Sequence, residues 1–117
     1  MAVQDFQVKG TELMWRNTID GAYHQMEING LTDAMADHNY IVAFCGSGKD
    51  SMAYAIDPSG VVQAVIGSGA GIYISYIAAS EKYPVYIAGE FLQKGKWIGS
   101  CFVYRKGKGF LRKSRAA

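Results

Sequence analysis

Apolar residues along this chain come in short runs, many of them alternating with polar ones, and turn residues punctuate the runs. The pattern predicts strands, because strand side chains alternate between faces and tight turns need Gly, Asn or Asp. The first run, 3–8, places Phe6 and Val8 on one face and turns at Lys9-Gly10. Runs over 13–19 and 22–28 flank Asp20-Gly21, whose tolerance of positive φ predicts a hairpin. Asn29-Gly30 offers a second turn of the same chemistry. Runs over 40–45 and 51–56 enclose Gly46-Ser47-Gly48-Lys49-Asp50, and Asp57-Pro58-Ser59-Gly60 has proline and glycine where a β-turn takes them. Further strands are expected over 61–66, 71–77, 85–92 and 97–104, the last two joined at Gln93-Lys94-Gly95-Lys96. Phe110-Leu111 is the last apolar pair.

Two segments break the alternation. In 31–39, Thr32 stands as a helix cap, with Leu31, Ala34, Met35 and His38 on one side, which predicts a short helix over 32–38. In 71–82 the isoleucines and tyrosines favour a strand to Ile77, whereas Ile77-Ala78-Ala79-Ser80-Glu81-Lys82 favours a helix. Periodicity does not separate the two in so short an apolar run, so an α+β alternative with a helix at about 71–82 stays open. The expected fold is a single antiparallel β barrel or sandwich with one short helix. Its compact domain covers 1–111, built around the apolar stretch 61–91, and 112–117 forms a basic tail. Tyr40-Ile41-Val42-Ala43 is echoed by Tyr86-Ile87-Ala88-Gly89 at a spacing of 46, and Ser51-Met52-Ala53-Tyr54 by Ser100-Cys101-Phe102-Val103 at 49. Two weak copies at unequal spacing do not make a repeat.

At 117 residues, 50% of them apolar, the chain can bury a core without metal or disulfide staples. Cys45 and Cys101 each sit in an apolar run and are expected as reduced, buried residues. Neither they nor His24 and His38 show metal-ligand spacing. Met1-Ala2-Val3-Gln4-Asp5 lacks the basic and apolar regions of a secretory signal, which implies synthesis in the cytoplasm, and no membrane partner is expected.

Charge alters the picture most. Residues 1–93 carry ten acids and four bases, whereas 94–117 carry eight bases and no acid. The bases are Lys94, Lys96, Arg105, Lys106, Lys108, Arg112, Lys113 and Arg115. An acidic body with a basic end concerns partners. It predicts docking on an acidic protein surface, above all that of another copy, in a non-catalytic structural module that self-associates, as a small virion or assembly component does. The alternative is nucleic-acid binding, with those bases on phosphates and Trp97, Phe102, Tyr104 and Phe110 as stacking surfaces.

Catalytic and cofactor motifs fare less well. Gly67-Ser68-Gly69-Ala70-Gly71 after an apolar run resembles a dinucleotide-binding loop, and Glu90 lies where a ribose-binding acid would. However, Ile72 occupies the third glycine position, so nucleotide binding there is the weaker alternative. Gly48-Lys49 half-fits a phosphate loop, but Asp50 replaces the hydroxyl residue that holds Mg²⁺. Gly71-Ile72-Tyr73 with Tyr86-Ile87-Ala88 resembles the paired signature of the GIY-YIG nucleases over 18 residues. Alanine at 88 and the lack of any arginine between Gly71 and Tyr104 set that resemblance aside. No catalytic residue, cofactor or metal ligand is expected.

Overall fold

The structure, a computed structural model, describes residues 2–113. The chain is mainly β, arranged as three antiparallel sheets. The N-terminal sheet is a meander of β1 (Val3–Lys9), β2 (Glu12–Asn17) and β3 (Tyr23–Glu27). The middle sheet is β4 (Leu31–Ala36), β5 (Ile41–Cys45), β6 (Met52–Ile56) and β7 (Val62–Gly67). The C-terminal sheet is β8 (Ile72–Ala78), β9 (Tyr86–Gln93), β10 (Lys96–Arg105) and β11 (Gly109–Lys113).

The sheets are stacked like a sandwich with an extra layer. Successive side chains of β5 point to opposite faces, and both faces are buried. Ile41, Ala43 and Cys45 join Val3, Leu13, Trp15 and Ile56 in a core against the N-terminal sheet. Val42 and Phe44 join Ile74, Ile77, Ile87 and Phe102 in a core against the C-terminal sheet. Among the described residues the sheets do not close into a barrel.

Polar latches fasten the layers. Trp15 is fully buried and its Nε1 donates to the Pro58 carbonyl at 2.8 Å, tying β2 to the turn before β7. The amides of Ala2 and Val3 both donate to the His38 carbonyl, each at 2.8 Å. Between the middle and C-terminal sheets, buried Ser51 donates its hydroxyl to the Gly48 carbonyl at 2.7 Å and accepts the Ile74 amide at 2.8 Å.

The hairpin at Asp20-Gly21 forms, with Gly21 at φ 73°. Lys94-Gly95 joins β9 to β10 with φ of 51° and 77°, the doubly positive conformation that suits a two-residue hairpin. The helix expected over 32–38 is corrected: Leu31–Ala36 is strand β4. Thr32 Oγ1 does not cap a helix but donates to the Gly46 carbonyl at 2.9 Å. The α+β alternative is corrected too, because 72–78 is strand β8 and the one helical turn among the described residues is a 3-10 turn over Ser68–Ala70. Two residues expected in the tail, Arg112 and Lys113, belong to the C-terminal sheet. Arg112 and Lys113 pair with Phe102 and Cys101 in β11, and only 114–117 lie outside the described residues.

Candidate interaction faces

The basic segment does not form one patch. Lys94 and Lys96 lie at the β9–β10 hairpin tip, whereas Arg105, Lys106 and Lys108 surround the β10–β11 turn at the opposite end of β10. A ten-residue strand at about 3.3 Å per residue sets these groups roughly 30 Å apart. Arg112 points toward the middle sheet, its guanidinium 4.5 Å from the Phe91 ring centroid in a cation–π contact. Lys113, one residue on, points to the opposite face. Arg115 lies outside the described residues.

The stacking candidates separate in the same way. Tyr104 is 8% exposed and packs edge-on against Tyr40 and Phe110, with centroids 5.0 and 5.7 Å away. Phe102 is in the core between sheets, and Phe110 is packed against that core. Trp97 alone keeps an open ring. It stacks on Tyr73 at 4.4 Å and is 43% exposed.

Trp97 belongs to the face of the C-terminal sheet turned away from the middle sheet. The register places Leu92 opposite Trp97, Glu90 between Tyr73 and Gly99, and Ala88 between Tyr76 and Cys101, all on this face. Tyr76 and Leu92 are each 52% exposed, and nothing lies within 4 Å of where a Cβ on Gly99 would stand. Cys101 and Val103 on the same face are covered by Tyr83 and Tyr86. The result is an aromatic surface bordered by Arg105, Lys113 and Lys94. Sequence reading missed Tyr73, Tyr76 and Leu92, since a tyrosine in an apolar run reads as core until register says which face it is on.

The outward face of the N-terminal sheet is different. Leu13 and Trp15 point inward, leaving Glu12, Met14 and Arg16 outward beside Gln25, Glu27 and Tyr23. An open depression there is lined by Asp5, Gln7, Met14, Tyr23, His24 and Gln25. Arg16 donates to Gln4 Oε1 at 2.5 Å and pairs with Asp5 at 3.7 Å.

The loops with phosphate-binding looks are occupied by the fold. A Cβ on Gly67 would overlap the Ser51 carbonyl and Met52, so glycine there permits close passage of two strands. The Ser68 amide donates to Ser51 and the Gly71 amide to Ser68. Glu90 projects onto the aromatic face, opposite Tyr73. In Gly46–Asp50, the Asp50 and Ser51 amides close the turn on Ser47 and Gly48. Cys45 and Cys101 are free and buried, and burial pushes the Cys45 thiol pKa up.

These features define a class: a stack of antiparallel meanders with unlike end faces. Among the described residues no helix is long and apolar enough to cross a membrane. Compared with protein-family models, curated proteins and solved structures, the chain matches none.

Proposed function

We propose that this protein is a non-catalytic structural module that self-associates. The observation that carries the reading is the aromatic outer face of the C-terminal sheet, where Tyr76, Leu92 and Trp97 stand exposed beside basic residues. Contiguous exposed apolar surface rimmed by charge marks an interaction site. The rest of the chain supplies the opposite charge: residues 1–67 carry eight acids and three bases, against two acids and nine bases in 68–117. Such a division steers copies toward one another.

The test is sedimentation of the full chain at low and high salt. Wild type is expected to exceed the monomer mass at low salt and to shift toward monomer as salt rises, because screening weakens exposed charge contacts. A monomer under every condition refutes the reading. Charge reversal of Arg105 and Lys113 serves better than deletion of 105–117, because deletion would strip β11 from its sheet.

Nucleic-acid binding is the second reading, favoured by Lys94 and Lys96 beside the open Trp97 ring. It predicts that Trp97→Ala weakens single-strand binding at low salt. No binding by wild type at low salt removes it.

A further inference from the structure

The middle and C-terminal sheets share one topology, a four-stranded antiparallel meander, set in the same direction. Ile41 pairs with Ile56 in the middle sheet and Ile87 with Phe102 in the C-terminal sheet, each residue followed by its counterpart 46 positions later. All four point back toward the preceding sheet. In the edge strands the match continues. Ala36 opposite Ile41 and Ile77 opposite Ile87 face backward, and Met35 and Tyr76 face forward. The second sequence echo, at 49, is out of this register. It aligns Ala53, which faces forward, with Phe102, which faces backward.

Forward and backward faces therefore have meaning throughout the stack. The forward face of the middle sheet, with Met35, Val42, Phe44 and Ala53, is covered by the backward face of the C-terminal sheet. The corresponding forward face of the C-terminal sheet carries Tyr76, Ala88, Glu90 and Gly99. Among the described residues no strand covers it. At the other end, the backward face of the N-terminal sheet carries the open depression around Met14 and Gln25.

We propose that a second copy of this chain seats the backward face of its N-terminal sheet on the forward face of the C-terminal sheet, continuing the stack head to tail. The inference rests on the self-association reading and names its interface. Direction is the first argument, since the chain already buries a forward face against a backward face between its own sheets. Shape is the second: Trp97, Tyr76 and Leu92 are exposed at one end, and an open depression lies at the other. Charge is the third. The backward face presents Asp5, Glu12 and Glu27 with Lys9 and Arg16, whereas the forward face presents Glu90 with Lys94, Arg105 and Lys113 at its border. Forward on forward would bring together two faces with an excess of bases, and backward on backward two with an excess of acids; only the unlike pair attracts. Such a heterologous contact closes into a ring if its rotation permits and otherwise grows as a filament.

Two full-length variants test this. Gly99→Arg blocks the forward face, at a position where an added Cβ meets nothing. Tyr23→Arg/Gln25→Arg blocks the backward face at two exposed residues. Circular dichroism and melting confirm folding, and native mass spectrometry and sedimentation at low salt read assembly. Each variant alone is expected as a monomer, with association weakened roughly thirtyfold or more, as at an interface centre. Mixed in equal amounts, they should give a one-to-one dimer and nothing larger, since one intact face of each kind remains. A mixture that stays monomeric overturns the proposal, as does a variant that alone assembles like wild type. The latter result leaves self-association standing through another surface, whereas a monomeric wild type removes both.

Discussion

Tyr40 shows what burial does to one side chain here. It precedes β5, packs edge-on against Tyr104 and has its hydroxyl pKa pushed up to about 12, by burial first and by the Asp37 carboxylate second. An unfolded tyrosine titrates near 10. Between those values the folded chain holds a proton that the unfolded chain has released, so stability is full below about pH 10 and falls as pH rises toward 12. Tyr40→Phe should leave stability at neutral pH nearly unchanged and flatten this alkaline loss. Urea titrations across that range check it, and an unchanged slope in Tyr40→Phe rejects the assignment. The sequence placed Tyr40 at the head of a strand, but its partner Tyr104 is 64 residues distant and only packing joins them.

At the scale of elements, bulges explain where sequence reading went astray. Leu31 and Ala34 are three apart, the spacing of a helical face, yet both pack into the core against the N-terminal sheet. A register shift between Leu31 and Asp33 inserts a residue and resets the alternation. Ile74 and Ile77 repeat the device, with a shift between Ile74 and Tyr76. Val3 and Phe6 do so again around Asp5, whose φ is 53°. A bulged strand thus imitates helical spacing, and pairing with a neighbouring strand outweighs a weak helix of two turns. Strands with no extra residue of their own, such as β5 and β6, and the hairpin at Asp20-Gly21 were legible from residue type and turn chemistry. The latch between the middle and C-terminal sheets was not, because a serine after a loop carries no sign of burial. Ser51→Ala leaves the buried Ile74 amide without its partner and should cost about 1–3 kcal/mol. Chemical denaturation measures it; a loss below about 0.5 kcal/mol would show that the latch contributes little.

The whole molecule is governed by its middle layer. The middle sheet is covered on both sides, whereas the N-terminal and C-terminal sheets each keep one outer face. Local opening costs most where most apolar contact is lost. Amide exchange should therefore be slowest in β5 and β6 and fastest at the β9–β10 hairpin tip, where Leu92, Trp97 and Ile98 are exposed. Equal protection across the three sheets would contradict the layered arrangement. In the assembly proposed above, the hairpin tip and the forward face gain protection together as concentration rises. The charge division read from the sequence keeps its value at this scale, but its geometry changed. Of eight bases that look contiguous in sequence, the seven among the described residues are dispersed to two ends of one strand and two faces of one sheet.

By itself the sequence determined that the chain is β-rich, where most of its turns lie, and that its acids and bases are segregated. Those properties are local: alternation, positive φ and residue charge are felt within a few positions. Tertiary structure alone decided which face each strand shows to which layer, since a single bulge inverts every side chain beyond it. It also decided that Tyr104 is core while Trp97 is surface, and that the middle and C-terminal sheets share one topology and one direction. Strand register, which sets all of these, is fixed by contacts between residues far apart in the chain.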